Sequence, residues 1–322
     1  MNYLFLINPV AGRSDPSSTL IPRIRLAAQN AGIAAEQLRI ETTQFRGHAE
    51  QLALQAAESG AEVRIYAVGG DGTFNEALRG AIGHDNAAVG LLPFGSGNDF
   101  LRSFGVKAEF LDLDAQLRAG VKKIDLIRTQ NGYAASICSA GLDAQIAYGI
   151  PDFRRIPFCG GEMSYRLSIL RELLKKKGRL LQFTVDGRVF TENCLMVAVC
   201  NGRAYGGGFM AAPEALLDDG MLEVLAVRKI GLVQIAKVLG RYQRGEHFHN
   251  GAIVPDLAPI ILYYRGRDVE IRPVDDARPI IINVDGECGP AQELKASLVP
   301  LAVQILLPAP VFARQQTIAG MA

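Results

Sequence analysis

The sequence predicts an α/β domain with a parallel sheet, followed by a mainly antiparallel β-sandwich domain. Two observations carry this prediction: apolar strands alternate with helical patterns in the first part of the chain, whereas short strands dominate the second part. A chain of 322 residues is long enough for two domains, and we expect them at 1–127 and 128–322, with the boundary near Asp125. The pattern does not assign the last apolar strand, "LVPLAVQILLP", so its return to the first domain stays open.

The strands of the first part are short apolar runs that end at turn residues. They read "YLFLINP", "EVRIYAVGG" and "AAVGLLPFG". Between them lie the helical patterns "STLIPRIRLAAQNAG", "HAEQLALQAAESG" and "TFNEALRGAIG", and the first two stop at Gly32 and Gly60. Alternation of this kind predicts parallel strands that helices cover on both faces.

The second part contains few helical patterns, one near 162–177 and one near 232–244. Its strands are connected by turn residues, and "VDGR" (Val185 to Arg188) predicts a hairpin turn. The predicted strands lie in "RLLQFTVDGRVFTENCLMVAVCNG", "MLEVLAVRK", "PIILYYRGRDVEIRP" and "PIIINVDGE". We therefore expect a mainly antiparallel sheet.

Composition and charge narrow the function classes. The net charge of +1 gives no general attraction to nucleic acid or to a membrane. Five cysteines without a CxxC pair argue against a disulfide framework and a zinc site, and they predict a reducing compartment. The first residues lack the basic region of a signal peptide, and no apolar run approaches the roughly 18 residues of a membrane span. We expect a cytoplasmic protein without a nucleic-acid partner.

The stretch "AVGGDGTFNEAL" (Ala67 to Leu78) places three glycines around one carboxylate, directly after an apolar strand. Glycine loses conformational entropy on folding and packs no side chain, so such a stretch indicates a close approach of the backbone to another group. Backbone N–H groups at a helix N-terminus favour an anion. Asp71 would repel a phosphate and would act through Mg²⁺, a water or a hydroxyl proton. A tight turn with a capping aspartate is the alternative.

Two more loops of small and polar residues follow predicted strands, "NPVAG" (Asn8 to Gly12) and "PFGSGNDF" (Pro93 to Phe100). Ligands of open α/β sheets bind beyond the carboxyl ends of the strands, where these loops would meet Gly69–Thr73. The chain has no GxxxxGK[ST] motif, and Phe100 stands where the third glycine of a dinucleotide fingerprint belongs. Three such loops at one edge favour a nucleotide-phosphate site.

These loops, together with motifs from the second part, resemble the diacylglycerol kinase catalytic-domain family. This family includes soluble bacterial lipid kinases and the sphingosine and ceramide kinases, and NAD kinases are more distant relatives. The resemblance runs from Asn8 to Glu287. "GGDGT" is shared with NAD kinases, whereas "LLDDG" with a late "DGE" is more specific to the lipid kinases. Ser96 stands where relatives commonly have threonine. The matching motifs are "NPVAG", "GGDGTFNE", "PFGSGNDF", "KKIDL", "PEALLDDGMLEV" and "NVDGE".

The resemblance implies that ATP lies in the cleft between the two domains. Thr43, in "TQFRGHA", matches a threonine of the family, and Thr42 is the competing candidate. The implied nucleotide ligands are Asn8, Pro9, Gly12, Thr43, Gly69, Gly70, Asp71, Gly72, Thr73, Asn75, Ser96 and Asn98.

By the same resemblance, the "LLDDG" loop binds Mg²⁺, or Ca²⁺ in its place, through Leu216, Asp219 and Met221. A turn can direct two carbonyls and a carboxylate at one hard cation, with waters completing its shell. Asp71 and Asp125 are further carboxylates that could reach a metal. A plain Asp-Asp-Gly turn explains the same pattern.

Phosphoryl transfer to an alcohol needs positioning, charge neutralisation and a proton acceptor. The family carries the acceptor in "NVDGE", which implies Glu287 with Asp285 beside it, and Asp71 is the second candidate. Strand alternation would place Asp285 and Glu287 on one face, and a hairpin turn is the alternative.

Residues 151–180 carry eight Lys or Arg and three acidic residues, a local charge of +5. A basic amphipathic helix in this segment suits an anionic membrane surface, and a helix packed on its own domain is the alternative. We expect a lipid substrate that the protein meets by peripheral, transient contact at the inner membrane surface. A homodimer is compatible with the resemblance.

The resemblance therefore implies an ATP- and Mg-dependent lipid kinase that acts on a membrane alcohol such as diacylglycerol. An NAD kinase-like phosphotransferase with a soluble substrate is one alternative, and a non-catalytic regulator that binds a nucleotide or a lipid is another. The separate "LLDDG" loop argues against the first alternative, and the carboxylates at 71, 219, 285 and 287 argue against the second.

Overall fold

The computed structural model describes residues 1–12, 15–154, 171, 178–274 and 278–319. The chain forms two compact units: the first comprises Met1–Asp125 with Pro300–Ala322, and the second comprises Leu126–Val299. The first unit is an α/β structure with parallel strands, and the second is mainly antiparallel β, which confirms the predicted fold class.

The helices of the described ranges are α1 (Ser17–Asn30), α2 (His48–Glu58), α3 (Asp71–Ala81), α4 (Lys107–Phe110), α5 (Leu113–Leu117), α6 (Leu142–Arg154), α7 (Leu232–Arg244) and α8 (Ala309–Ala319). The strands are β1 (Asn2–Ile7), β2 (Leu38–Thr42), β3 (Val63–Gly69), β4 (Ala87–Pro93), β5 (Gly120–Thr129), β6 (Gly132–Ala134), β7 (Ile137–Gly141), β8 (Arg179–Val185), β9 (Arg188–Cys200), β10 (Leu222–Arg228), β11 (Phe248–His249), β12 (Ala252–Ile253), β13 (Ile261–Gly266), β14 (Asp268–Pro273), β15 (Ile280–Val284), β16 (Glu287–Ala291) and β17 (Leu294–Leu307).

The sheet of the first unit has the strand order β2–β1–β3–β4–β17, and all of these neighbours are parallel. Only residues 304–306 of β17 pair with β4. Every residue of β4 is buried, as expected for a parallel strand that is covered on both faces. The carboxyl ends of β1, β3 and β4 each lead into one of the three loops singled out in the sequence.

Helices cover both faces of this sheet. On one face, Leu20 and Ile24 of α1 pack against Phe5 in a buried cluster. On the other face, α2 and α3 pack against each other and against β1, β3 and β4. Gly80 permits the close approach of α2 and α3, because a Cβ there would overlap the carbonyl oxygen of Glu50.

The second unit has antiparallel strands in the order β16–β15–β7–β9–β8–β14–β17, and β10 and β13 extend from β9. The long strand β9 pairs with β8 through its first half and with β7 through its second half. The predicted "VDGR" hairpin is confirmed: Val185 pairs with Arg188, and Asp186 and Gly187 have φ of 46° and 79°. Positive φ at both turn residues is the type I′ geometry that fits a twisted hairpin.

Buried side chains line both faces of the central strands of the second unit. Cys138 and Val199 belong to a cluster on one face, and Ile137 and Ala198 belong to a cluster on the other. The predicted helix α7 packs on the second cluster through Ile235.

The sequence pattern does not predict helix α6 of the second unit. This helix starts directly after β7, in a stretch without a helical start or stop signal. The predicted helix near 162–177, and most of the basic segment 151–180, lie outside the described residues. None of the helices in the described ranges combines the length and the hydrophobicity that crossing a membrane requires.

Candidate functional site

Three loops of the first unit meet at the carboxyl edge of its sheet, as the sequence predicts. The Asn8 side-chain amide donates a hydrogen bond to the Thr73 hydroxyl at 2.9 Å, which joins the loop after β1 to the first turn of α3. The N–H groups of Phe94 and Gly95 donate to the Gly69 carbonyl oxygen at 2.8 and 3.0 Å, which joins the loop after β4 to the end of β3. The three loops therefore form one cluster.

The glycines of this cluster serve different purposes. A Cβ on Gly95 would overlap the Cα of Gly70, and a Cβ on Gly12, whose φ is +85°, would lie 2.7 Å from the Phe94 carbonyl oxygen. These glycines let the loops pack on one another. Gly72 differs, because a Cβ there would meet no atom within 4 Å. Packing within the protein therefore does not require the glycine at position 72.

Asp71 occupies the first turn of α3 and ties it to the loop after β4. Its carboxylate accepts the Phe100 N–H at 3.2 Å. Burial raises the pKa of Asp71, and the Asp99 carboxylate adds to this rise, while the N–H groups of residues 98–100 oppose it. Asp99 is not among the predicted site residues, although it belongs to the "PFGSGNDF" motif.

The start of α3 offers backbone N–H groups to an anion. The first helical hydrogen bond is donated by Phe74 to the Gly70 carbonyl oxygen at 3.1 Å, so the N–H groups of Asp71, Gly72 and Thr73 precede it. Together with the helix dipole, such groups bind phosphate oxygens without a cationic side chain.

The other predicted nucleotide ligands lie in the same loops or next to them. Thr43 follows β2, and its N–H donates to the Ile7 carbonyl oxygen at 2.8 Å, which places it beside the start of the Asn8 loop. Asn98 is buried at φ +51° and donates to the Gly95 carbonyl oxygen at 2.6 Å, whereas Ser96 is exposed. Asparagine is one of the few residues that adopt this left-handed conformation readily.

Asp125, the residue at the predicted domain boundary, is buried and hydrogen-bonded to β17. It is 1% exposed, and its carboxylate accepts the Leu301 N–H at 2.7 Å. This bond fastens β17 where the chain re-enters the first unit.

In the second unit, "NVDGE" forms a hairpin turn, so the expected strand alternation of Asp285 and Glu287 is wrong. Val284 pairs with Glu287, and Asp285 and Gly286 form the turn with φ of 44° and 90°. The Asn283 side chain accepts the Gly286 N–H at 2.7 Å and stabilises this turn. The two carboxylates therefore leave different parts of the hairpin.

The two acids of this hairpin also have different surroundings. The Asp285 carboxylate accepts backbone N–H groups from Ala135 at 2.5 Å, from Ile137 at 2.8 Å and from Ser136 at 3.2 Å. With three backbone donors, this carboxylate fixes the hairpin to the first residue of β7 and the two residues before it. Glu287 is exposed at the start of β16.

Asp143 is an acid in the first turn of α6 that lies outside all of the matched sequence motifs. No hydrogen bond of normal geometry reaches its two buried carboxyl oxygens from the described residues. Burial raises the pKa of Asp143 to about 6, and the nearby hydroxyls of Ser139 and Tyr205 oppose this rise in part. Burial also raises the pKa of the Cys288 thiol, and the Asp143 charge adds to that effect, so Asp143 lies close to the start of β16.

In the predicted metal loop, the Asp219 carboxylate belongs to a network of hydrogen bonds and ion pairs. The Asp219 carboxylate accepts the Met221 N–H at 3.1 Å with one oxygen and pairs with the Arg265 guanidinium through the other. Arg265 also lies 3.2 Å from the carboxylate of Glu223, which is 7% exposed and accepts the Tyr263 hydroxyl. Burial raises the pKa of Glu223.

In this arrangement the predicted metal ligands do not fit a divalent cation. A cation bound by Leu216, Asp219 and Met221 would have to displace Arg265 from the only carboxylate of the set. No group of three or more His, Cys, Asp or Glu side chains in the part of the chain that the structure describes could hold a metal ion. The expectation of a metal at Asp219 stays a prediction.

Two family models match the chain. Residues 2–129 match the diacylglycerol kinase catalytic domain, and residues 136–307 match the YegS C-terminal NAD kinase beta sandwich-like domain.

Curated relatives align over most of the chain. A protein of Shewanella frigidimarina named "Probable lipid kinase YegS-like" is 29% identical over 250 residues, which cover 76% of this chain and 76% of the relative. The diacylglycerol kinase of Bacillus subtilis is 26% identical over 287 residues, which cover 88% of this chain and 89% of the relative.

Solved structures share the fold. A diacylglycerol kinase from Bacillus anthracis superposes with a TM-score of 0.68 at 19% identity and covers 96% of this chain and 98% of its own. An NAD kinase from Archaeoglobus fulgidus in complex with ATP superposes with a TM-score of 0.51 at 13% identity and covers 98% and 96%. With the YegS-type model matching more than half of its length and the catalytic-domain model matching most of the remainder, the chain belongs to the diacylglycerol kinase family of kinases.

Proposed function

We propose that this protein is an ATP-dependent lipid kinase that transfers the γ-phosphoryl group of MgATP to the hydroxyl of a membrane lipid such as diacylglycerol. The observation that carries the proposal is the cluster of three loops at the start of α3, held by the Asn8–Thr73 bond and by the Gly70–Gly95 contact. The names of the Bacillus and Shewanella relatives support a lipid as the acceptor.

In this proposal the first unit binds the phosphates. The backbone N–H groups of Asp71, Gly72 and Thr73 donate hydrogen bonds to the phosphate oxygens, and the open space at Gly72 leaves room for the phosphates. The Thr73 hydroxyl accepts from Asn8, so its own proton is available to a phosphate oxygen. Asp71 keeps the loop after β4 in position through the Phe100 N–H.

The chemical step then needs one proton acceptor. The bond between the γ-phosphorus and the oxygen of the β-phosphate breaks, a bond to the acceptor oxygen forms, and the hydroxyl proton passes to a carboxylate while ADP leaves. We assign this carboxylate to Glu287, because it is exposed at the start of β16. Three backbone N–H groups already engage Asp285, which suits an anchor better than a base.

The proposed substrate lies in a membrane, so the protein must reach its surface. We propose that the basic segment 151–180 makes a weak and reversible contact with anionic lipid on the cytoplasmic side. Salt screens such contacts, so binding should fall steeply with ionic strength. Co-sedimentation of wild type and a Lys175→Glu/Lys176→Glu/Lys177→Glu variant with anionic vesicles, at low and high salt, tests this. Equal sedimentation of both proteins would remove the segment from the proposal.

The function is tested by incubating the protein with γ-labelled ATP, Mg²⁺ and mixed micelles that contain one candidate lipid at a time, with soluble NAD as a separate arm. We expect label on a hydroxyl-bearing lipid, a large loss of rate for Glu287→Gln, and no change for Leu26→Ala, whose side chain is 59% exposed on α1. Label on NAD, or on no acceptor in the panel, would contradict the proposal.

A further inference from the structure

The loop between β2 and α2 presents an exposed aromatic ring. Phe45 is 54% exposed, and its ring stacks on the His48 ring with the centroids 4.6 Å apart and the planes inclined by 21°. An aromatic side chain offers a large, flat apolar face that favours stacking. His48 packs against one face of the Phe45 ring, and more than half of the Phe45 surface remains accessible to a ligand.

Two hydrogen bonds hold this aromatic pair in place. The Gln44 N–H donates to the His48 Nδ1 at 3.1 Å, so Nδ1 is an acceptor and the proton of the neutral ring is on Nε2. The His48 N–H donates to the Phe45 carbonyl oxygen at 3.2 Å. The pair is therefore arranged before a ligand arrives, which lowers the entropy lost on binding.

Both ends of the loop are fastened to elements that carry the phosphate loops. At one end, the Thr43 N–H donates to the Ile7 carbonyl oxygen at 2.8 Å, one residue before Asn8. At the other end, the Gly47 N–H donates to the carboxylate of Glu76, on α3, at 2.9 Å. Phe45 is two residues from Thr43, at most about 7 Å of chain. The backbone of Phe45 therefore lies within about 7 Å of Thr43, which is bound next to the start of the Asn8 loop.

We propose that Phe45, supported by His48, is the platform on which the purine base of the nucleotide stacks. The assignment rests on the proposed function, since the phosphates of the same nucleotide occupy the loop cluster. Every base has a π face, so an aromatic platform adds affinity for a nucleotide without selecting one base by hydrogen bonds. Phe45 therefore distinguishes a nucleoside triphosphate from a polyphosphate that has no base.

The first experiment uses the absence of tryptophan from the chain. A Phe45→Trp variant carries one tryptophan at the proposed platform, so its fluorescence reports on this position alone. We expect ATP to change the emission in a saturable manner and inorganic tripolyphosphate to leave it nearly unchanged. Equal responses to both compounds, or a response to neither, would overturn the assignment.

The second experiment measures the affinity of wild type and variants for both compounds. We expect Phe45→Ala to weaken ATP binding about tenfold, the effect of losing one base–aromatic stack, and to leave tripolyphosphate binding unchanged. Phe45→Tyr should restore ATP binding, Phe45→Leu should not, and the exposed control Leu26→Ala should behave as wild type. In the kinase reaction, the KM for ATP should rise with little change in kcat.

The outcomes separate the platform from the phosphate site. If Phe45→Ala binds ATP as tightly as wild type, or loses affinity for ATP and tripolyphosphate equally, Phe45 is not the platform for the base. If the variant keeps its ATP affinity and instead loses binding to anionic vesicles, the ring is a membrane contact and the assignment is wrong. A wild-type protein that binds neither ATP nor tripolyphosphate would refute the proposed function and the platform together.

Discussion

The side chains of Asn8 and Thr73 are hydrogen-bonded at 2.9 Å although they are 65 residues apart in the sequence. Asn8 also accepts the Val10 N–H at 3.1 Å, so one amide orders its own loop and fixes it to the first turn of α3. The bond fixes the orientation of the Thr73 hydroxyl, and in the proposed reaction this hydroxyl faces the phosphates.

Replacing Asn8 with alanine should weaken ATP binding more than it weakens the fold. We expect a loss of about 1 kcal/mol in the free energy of unfolding, the usual contribution of one hydrogen bond, and a clear rise of the KM for ATP. Urea unfolding and initial rates measure the two quantities. A second variant, Asn8→Asp, keeps the acceptor for Val10, loses the donor to Thr73 and adds a negative charge near the proposed phosphates, so its KM for ATP should rise at least as much. An Asn8→Asp protein with the KM of wild type would show that this bond is irrelevant to the nucleotide.

Two glycines of the cluster provide a matched test of close approach. Gly72→Ala places a methyl group in open space within a helix, so it should stabilise the fold by about 0.5–1 kcal/mol. If phosphates approach this backbone, the same variant should raise the KM for ATP at least tenfold. Gly95→Ala should instead destabilise the protein, because its methyl group would overlap Gly70. Thermal unfolding with and without ATP measures both effects. A stable Gly72→Ala protein with wild-type KM would place the phosphates elsewhere.

The sequence predicts features that depend on local rules. The three loops are recognisable because glycines and small polar residues follow apolar strands, and the ends of parallel strands meet at one edge whatever the rest of the chain does. The contacts of Asp219 with Arg265 and of Asp285 with residues 135–137 are not predictable in this way, because their partners come from distant strands whose register only the folded sheet defines. Asp143 is missed for the same reason, since its burial depends on how α6 packs.

The acids of the "NVDGE" hairpin should separate into one structural and one catalytic role. Asp285→Asn replaces one of the two accepting carboxylate oxygens with an NH₂ group and removes the charge that three N–H groups face, so we expect a loss of about 3 kcal/mol in the free energy of unfolding. Glu287→Gln should leave stability within about 0.5 kcal/mol of wild type and reduce kcat by roughly 10²–10⁴-fold. Urea unfolding and initial rates are the measurements. Full activity in Glu287→Gln would exclude it as the proton acceptor.

The Asp219 loop should respond to divalent cations more strongly once its arginine, Arg265, is removed. Arg265→Met leaves the carboxylates of Asp219 and Glu223 without their cation, which should lower the melting temperature. Mg²⁺ or Ca²⁺ should then raise the melting temperature of Arg265→Met more than that of wild type, with NaCl at equal ionic strength as the control. Adding Asp219→Asn to the variant should remove the response. A saturable stabilisation of wild type by Mg²⁺ that Asp219→Ala abolishes would show instead that the loop binds the metal directly.

Asp143 should make the stability of the second unit depend on pH between about 4 and 6. The pKa of its buried carboxyl is raised to about 6 from the ordinary value of 3.8, so in this range the folded state binds the proton more tightly than the unfolded state. The contribution of this carboxyl to the free energy of unfolding is therefore fully present below its ordinary pKa of 3.8, and it is lost as the pH rises through 6. A rise of about two pKa units corresponds to about 3 kcal/mol.

The variant that isolates this effect is Asp143→Asn, which has nearly the same shape and no charge at any pH. At pH 7.5 it should be more stable than wild type by up to about 3 kcal/mol, and at pH 4 by only about 0.5 kcal/mol, because Asp143 is then protonated in the folded state and about 40% protonated in the unfolded state. Urea unfolding of both proteins at pH 4.0, 5.0, 6.0 and 7.5 gives the difference directly, and other titrating groups cancel in the comparison. A difference that does not change with pH would mean that Asp143 keeps its ordinary pKa in the folded protein.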